Sequence, residues 1–244
     1  MAEDTRTLVF IPAWNEEQSL PTVLDELRAE LPDADVLVVD DGSTDGTAAR
    51  AREHGAEVLS FGANRGLRAA IAAGYGYAAE HGYAFCGRVD ADGQHPVHEL
   101  RNLLDLVRSG ACDVAVGSRF ATATGNGFSR ERYTSSRARR LGTGVLRRSI
   151  EMVLDRPFHD ATSGMYAVNA RAMPILARPY QSGAPEVEAV LRLHEEGLRV
   201  DEVPVDMRER ASGESKLQGK KALVLVFTVA GTLLTAEYLR RRRS

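Results

Sequence analysis

Along the first half of the chain, short apolar runs alternate with longer stretches in which apolar residues recur at helical spacing. Leu8 to Ile11 reads as a strand, Ser19 to Glu30 as a helix, and Val36 to Val39 as a strand ending in Asp40 and Asp41. A helix over Thr44 to His54, a strand over Val58 to Phe61, an alanine-rich helix over Leu67 to Glu80 and a strand over Tyr83 to Val89 continue the alternation. A helix over Val97 to Ser109 and a strand over Asp113 to Gly117 complete it. Strands joined through helices of this length predict an α/β fold, with a mostly parallel central sheet and helices on both faces. Ligands of such sheets bind beyond the carboxyl ends of the strands. Polar residues gather at those ends, at Pro12 to Glu17, Asp40 to Asp45, Asn64 to Arg68 and Asp90 to Gln94. Four strand ends are expected to converge on one site.

After Ser118 the pattern breaks into ATATGNGFS, a predicted loop leading to a helix over Ser136 to Leu154. From Arg119 to Arg148 eight arginines face one acidic residue, a net +7 within a chain of net charge -3. The overall charge argues against bulk nucleic-acid binding, whereas the arginine segment suits an anionic ligand. A length of 244 residues, 43% hydrophobic and 27% charged, fits one globular domain with room for an appendage. Cys86 and Cys112 lie in or beside apolar runs and suggest neither a disulfide framework nor a cysteine metal site. The acidic start, MAEDTRTLVF, lacks the features of a signal peptide, which predicts a cytoplasmic protein. The apolar stretch Ala222 to Ala236 is shorter than the ~20 residues of a spanning helix. Lys220 and Lys221 precede it and Arg240 to Arg243 follow it. Two readings stay open: a helix lying on the inner face of the cell membrane as a peripheral contact, or a helix packed on the body with a solvated tail. The domain is expected over residues 1–218 and the appendage over 219–244.

The string VDADGQHP places Asp90 and Asp92 on a turn after a strand. Two carboxylates there suit Mg²⁺ or Mn²⁺, which prefer oxygen ligands and keep substrate phosphates and waters in their shell. Such a cation offsets charge that builds on a departing phosphate. Gln94 is a candidate neutral oxygen donor; His95 and His98 either extend the metal shell or, as the oxygen preference of hard cations favours, are surface residues of a helix start. Asp40 and Asp41 are placed to accept hydrogen bonds from a ribose hydroxyl or a base N–H. Capping of the next helix by Ser43 or Thr44, with Asp45 in its first turn, is expected to leave both aspartates unoccupied. Asn64 to Arg68 opens the alanine-rich helix, either as a phosphate site or as an asparagine turn with an exposed arginine pair.

The strings IPAWNEE, VVDDGSTDGT, NRGL, VDADGQHP, VGSRF, DATSGMYA and VPVDMRERASGESK occur in that order over nearly all of residues 5–218. Together they resemble family-2 glycosyltransferases of the GT-A fold, and are most similar to the dolichyl-phosphate mannose synthase branch, which glycosylates polyprenyl phosphates. The resemblance implies that Pro12, Ala13, Trp14, Asn15 and Glu16 wrap the base and ribose together with Asp40 and Asp41. It implies metal binding by Asp90, Asp92 and Gln94. Arg119, Arg139 with Thr143, and Arg210 match positions that grip phosphates of acceptor and donor, and Lys216 faces the diphosphate. Arg68 stands where many relatives have Gly or Lys, which leaves the donor-phosphate contact of that loop open.

The implied reaction is inverting transfer of a hexose, mannose or glucose, from a nucleotide-sugar such as GDP-mannose or UDP-glucose to a polyprenyl phosphate. A phosphate acceptor is already an anion and needs no general base. An alcohol acceptor would need one, and Glu186 or Glu188 would supply it; with a phosphate acceptor both are expected to be surface-helix glutamates. The alternatives are transfer to a soluble natural product or saccharide, a sugar nucleotidyltransferase, and a polybasic membrane-binding module. The second lacks an evident Gly-rich triphosphate loop near the N-terminus.

Overall fold

The structure, a computed structural model, describes residues 5–119, 158–160 and 163–208. The expected helix over 136–154, the loop before it and the appendage 219–244 lie outside the described residues, as do Arg139, Thr143, Arg210 and Lys216. Among the described residues no helix is long and apolar enough to cross a membrane.

Seven strands form one sheet: β1 (Thr7–Ala13), β2 (Asp35–Asp40), β3 (Glu57–Ser60), β4 (Phe85–Arg88), β5 (Val114–Ser118), β6 (Tyr166–Asn169) and β7 (Val200–Pro204). Their order is β3-β2-β1-β4-β6-β5-β7. Neighbouring pairs are parallel except where β6 runs against both β4 and β5. The helices are α1 (Leu20–Glu30), α2 (Thr47–Glu53), α3 (Leu67–Glu80), α4 (Val97–Arg108), α5 (Met173–Leu176) and α6 (Pro185–Glu195).

Every residue of β1 is buried, as expected of a central strand covered on both faces. Alternate side chains point to opposite faces. Leu8 and Phe10 therefore join Leu37, Val39 and Tyr166 under α3, α5 and α6, while Val9 and Ile11 join Val38 and Ala167 under α1 and α4. Phe10 meets Tyr75 of α3 edge-on, with ring centroids 4.8 Å apart; truncating it to alanine would cost about 3–5 kcal/mol. Helix α4 buries Val97, Leu100, Leu103, Leu104 and Val107, the three-and-four spacing of one face.

The elements through Ser118 follow the sequence pattern with small shifts. Helix α2 starts at Thr47 rather than Thr44, because side chains of neighbouring loops hold the amides of residues 43, 44 and 46. The short strands β6 and β7 escaped the pattern. The strand order reverses between β1 and β4, which opens the crevice where ligands of open parallel sheets bind.

Candidate active site

In register, Ala13 of β1 lies beside Asp40 of β2, and Phe10 of β1 lies beside Arg88 of β4. The turns that follow these strands are therefore neighbours. The first two are stitched together. Asn15, at φ 55°, donates its amide to Ser43 Oγ at 2.9 Å and accepts the Thr44 amide on Oδ1 at 2.9 Å. The Glu16 amide donates to Thr47 Oγ1 at 2.8 Å, and Glu17 accepts the Gly46 amide at 2.8 Å. Glu16 spends a carboxylate oxygen on the Ser19 hydroxyl, 2.7 Å away. Ser43 and Thr44 thus serve the first loop rather than capping α2; Gly46 stands at the cap position, and Asp45 before it accepts the Thr47 amide at 3.0 Å. Burial pushes the Asp45 carboxyl up, but bonds from Thr47 and Glu17 outweigh it and hold it below the usual value. Beyond these loops Trp14 remains 40% exposed.

Asp40 and Asp41 depart from expectation. Asp40 accepts the Ser43 amide at 3.0 Å and the Ser60 hydroxyl at 2.7 Å. Asp41 accepts the amides of Arg65 at 2.6 Å and Gly66 at 2.8 Å. Both are buried. Loop capping does occupy them, so their first role is to fix the three loops. Gly42, at φ 70°, makes this possible, since a Cβ there would stand 2.3 Å from the Ala63 backbone. The amides of Arg65 and Gly66, just before α3, are in turn committed to Asp41. Arg65 lies over the Phe61 ring at 5.0 Å, and Arg68 donates to the Ser182 carbonyl at 3.1 Å. Arg68 thus ties α3 to the loop before α6.

The turn after β4 carries the two aspartates. Asp92 accepts the Gln94 amide at 3.0 Å. The Asp90 amide donates to Nδ1 of His95 at 3.0 Å. His95 is buried beneath the turn, not on the surface as expected, and burial lowers its pKa. With Nδ1 accepting, the proton sits on Nε2, 4.0 Å from Asp90 Oδ2. His98 is on the surface as expected. Gly164 closes the other side, where an added Cβ would meet Asp90 Oδ2 at 2.6 Å. The Asp90 side chain nonetheless stays 35% exposed. Two solvent-reaching carboxylates with Gln94 on one turn fit a hard cation. Among the described residues no three His, Cys, Asp or Glu side chains group as a complete metal site, so such a cation would complete its shell with ligand oxygens.

Several contributors were not legible in the sequence. Arg88, the last residue of β4, is 3% exposed and reaches Asp90 at 3.5 Å and Glu186 at 3.1 Å. Burial opposes its charge, but the two carboxylates outweigh burial and raise its pKa. Glu186 is correspondingly no surface glutamate: burial pushes its carboxyl up, against the pull of Arg88. Glu188 accepts the Gln181 and Ser182 amides and pairs with Arg192. Burial raises its pKa, yet those partners bring it below the ordinary value. Arg119 is gripped by the buried carboxylate of Asp160, with Nε at 2.8 Å and Nη2 at 2.9 Å. Glu202 of β7 in turn accepts the Asp160 amide at 2.6 Å. The bidentate geometry fixes the plane of the guanidinium. The Arg208 amide donates to the Gln94 carbonyl at 2.9 Å, which holds the segment after β7 against the same turn.

Comparison with known proteins gives one consistent picture. The profile of Glycosyl transferase family 2 matches residues 8–171. The polyprenol monophosphomannose synthase of Mycolicibacterium smegmatis is 32% identical over 241 residues, covering 92% of this chain and 86% of its own. The undecaprenyl-phosphate mannosyltransferase of Micrococcus luteus is 36% identical over 222 residues, covering 88% of each. In fold, the chain is similar to glucosyl-3-phosphoglycerate synthase from Mycobacterium tuberculosis, solved with Mn²⁺, UDP-glucose and phosphoglyceric acid. The TM-score is 0.66 at 21% identity, over 94% of this chain and 80% of that one.

Proposed function

The chain belongs to glycosyl transferase family 2 and is a glycosyltransferase of the GT-A fold, and from that premise we propose that it transfers mannose from GDP-mannose to a polyprenyl phosphate, with inversion and with Mg²⁺ or Mn²⁺ at Asp90, Asp92 and Gln94. Family membership selects glycosyl transfer over nucleotidyl transfer. The observation that carries the reading is the partly exposed aspartate turn at the strand-order reversal, in a chain 32% and 36% identical to two proteins named for mannosyl transfer to polyprenyl phosphates.

A bound cation would offset the charge that builds on the departing diphosphate. The rest falls to the side chains. Trp14 offers an exposed indole face to the base, beside loops that Asp40 and Asp41 hold in place. The acceptor phosphate arrives ionised and attacks the anomeric carbon as the bond to the diphosphate breaks, which inverts that centre. Such an acceptor needs no base, consistent with Glu188 being committed to loop amides and Arg192 and Glu186 to Arg88. Arg119, its plane set by Asp160, is assigned to the acceptor phosphate, and Arg139, Thr143, Arg210 and Lys216 to the phosphate groups at the same crevice. We further propose that it acts at the inner face of the cell membrane, where a lipid-linked acceptor presents its phosphate.

The test is transfer from GDP-mannose and from UDP-glucose, each with Mn²⁺, to a short-chain polyprenyl phosphate and to soluble saccharide acceptors. Mannosyl-lipid formation from GDP-mannose is expected. Glucosyl transfer from UDP-glucose would correct the donor, and product with the soluble acceptors alone would overturn the acceptor.

A further inference from the structure

Glu202 stands on β7 and spans two consecutive residues of a segment, 158–160, that belongs to no helix or strand. One carboxylate oxygen, Oε1, accepts the Asp160 amide at 2.6 Å. The other accepts the His159 amide at 2.7 Å and lies 3.0 Å from the His159 ring nitrogen Nδ1. The Glu202 side chain is 8% exposed, so little water competes for these bonds. Phe158, at the start of the segment, is buried in the core. With both amides held by one carboxylate, the 159–160 backbone has a set orientation, and the Asp160 side chain leaves it in a set direction. Asp160 then grips Arg119 through Nε, Nη2 and the backbone amide, the last at 3.1 Å. The chain of contacts closes on itself. Glu202 pairs in register with Val116 of β5, three residues before Arg119, and the Val205 amide continues the pairing by donating to the Ser118 carbonyl at 3.0 Å. Strand β5, Arg119, Asp160, Glu202 and β7 thus form a ring, in which Glu202 joins the sheet to the segment that carries Asp160.

We infer that Glu202 is a positioning residue for the acceptor: acting through the 159–160 backbone and Asp160, it sets the plane of the guanidinium that Arg119 brings to the acceptor phosphate. The planar fork of arginine makes such a device effective, because two N–H groups at fixed angles meet a carboxylate in one plane. A lysine would be a point charge with no plane to set. An amide in place of the Glu202 carboxylate would put an NH₂ group against one of the two backbone amides, a donor facing a donor. The backbone would turn to relieve it, and Asp160 and Arg119 would turn with it. The inference rests on the assignment of Arg119 to the acceptor phosphate.

The experiment measures steady-state transfer by the full chain to a short-chain polyprenyl phosphate, with Mn²⁺ and GDP-mannose, or UDP-glucose if that is the donor the chain uses. The KM values of acceptor and donor are determined separately, with thermal unfolding of each variant. Glu202→Gln is expected to raise the acceptor KM about tenfold, within the ~100-fold that an ångström of misplacement costs, and to leave the donor KM at the parent value. Because Glu202 acts through the arginine fork, adding Glu202→Gln to Arg119→Lys is expected to change the acceptor KM by less than about twofold, a non-additive pair. A folded Glu202→Gln with the acceptor KM of the parent would overturn the inference. Equal rises in the KM of donor and acceptor would do the same, as the mark of a structural role alone. Additive effects in the double variant would also contradict it, since Glu202 would then act by another route. Should Glu202→Gln fail to fold, Glu202→Asp, which holds its charge one methylene short of the amides, carries the comparison by the same criteria. Arg119→Ala with an unchanged acceptor KM would instead remove the assignment of Arg119, and the inference with it.

Discussion

Two aspartates near opposite ends of β6 show how the same side chain is put to opposite uses. Asp113, just before β5, is 4% exposed and accepts from Asn169 at 2.9 Å, the Arg199 amide at 2.9 Å, the Arg199 Nε at 3.2 Å and Arg171 at 3.2 Å. A carboxylate offers about four lone-pair sites, and these donors match them. Burial pushes its carboxyl up, but the bonds from Arg199 and Asn169 outweigh it and leave the pKa below the ordinary value. Asp90, just after β4, is 35% exposed and shares one arginine nitrogen at a longer distance. The first is a latch joining the start of β5 to the end of β6 and the start of β7. The second is held in place from below by its amide and His95 while its side chain stays partly exposed. What separates the two on the surface of the fold is exposure: the Asp113 side chain is closed off at 4%, whereas that of Asp90 reaches solvent at 35%.

Replacing Asp92, the partner of Asp90, gives the largest expected effect: Asp92→Ala should cut transfer about 10²- to 10³-fold, the scale of losing one electrostatic stabiliser, with little change in Tm. A Tm loss matching that of an Asp113 variant would erase the contrast. Next, Asp41→Ala releases the Arg65 and Gly66 amides, so GDP affinity measured by calorimetry should weaken by about tenfold, equivalent to ~1.4 kcal/mol. Asp113→Asn keeps the shape but not the charge; a cost of about 1–2 kcal/mol should lower Tm by roughly 2–8 °C while kcat is unchanged.

Acidity gives the smallest effect and sharpens the latch. The folded Asp113 pKa is depressed, so its stabilisation is full above the unfolded value near ~3.9 and is lost as pH falls through the folded value. The Tm gap between the parent chain and Asp113→Asn should therefore be constant from pH 7 to pH 5 and shrink below about pH 4. A gap that widens in acid would contradict the sign.

The sequence revealed the sheet through Ser118 because each element there is long enough to show its period. Strand β6 has four residues, and its reversal between β4 and β5 is a tertiary choice with no local signature. The aspartate turn was legible because it follows an apolar strand. Arg88 was not, because an arginine in FCGRV gains its meaning from Glu186, 98 residues later. His95 was misread for the same reason: its neighbours on the chain look like a helix start, while its partner is the Asp90 amide above it. The occupancy of Asp40 and Asp41 was likewise hidden, since the amides they hold include those of the third loop.

The central claim is that the turn bearing Asp90 and Asp92, and not the equally acidic but saturated Asp113, binds a divalent cation together with the nucleotide diphosphate. Mn²⁺ titration in the presence of GDP, on the parent chain, Asp92→Ala and Asp113→Asn, tests it most directly. Binding that is lost in Asp92→Ala and retained in Asp113→Asn is the predicted result. Binding that survives in Asp92→Ala would contradict the account.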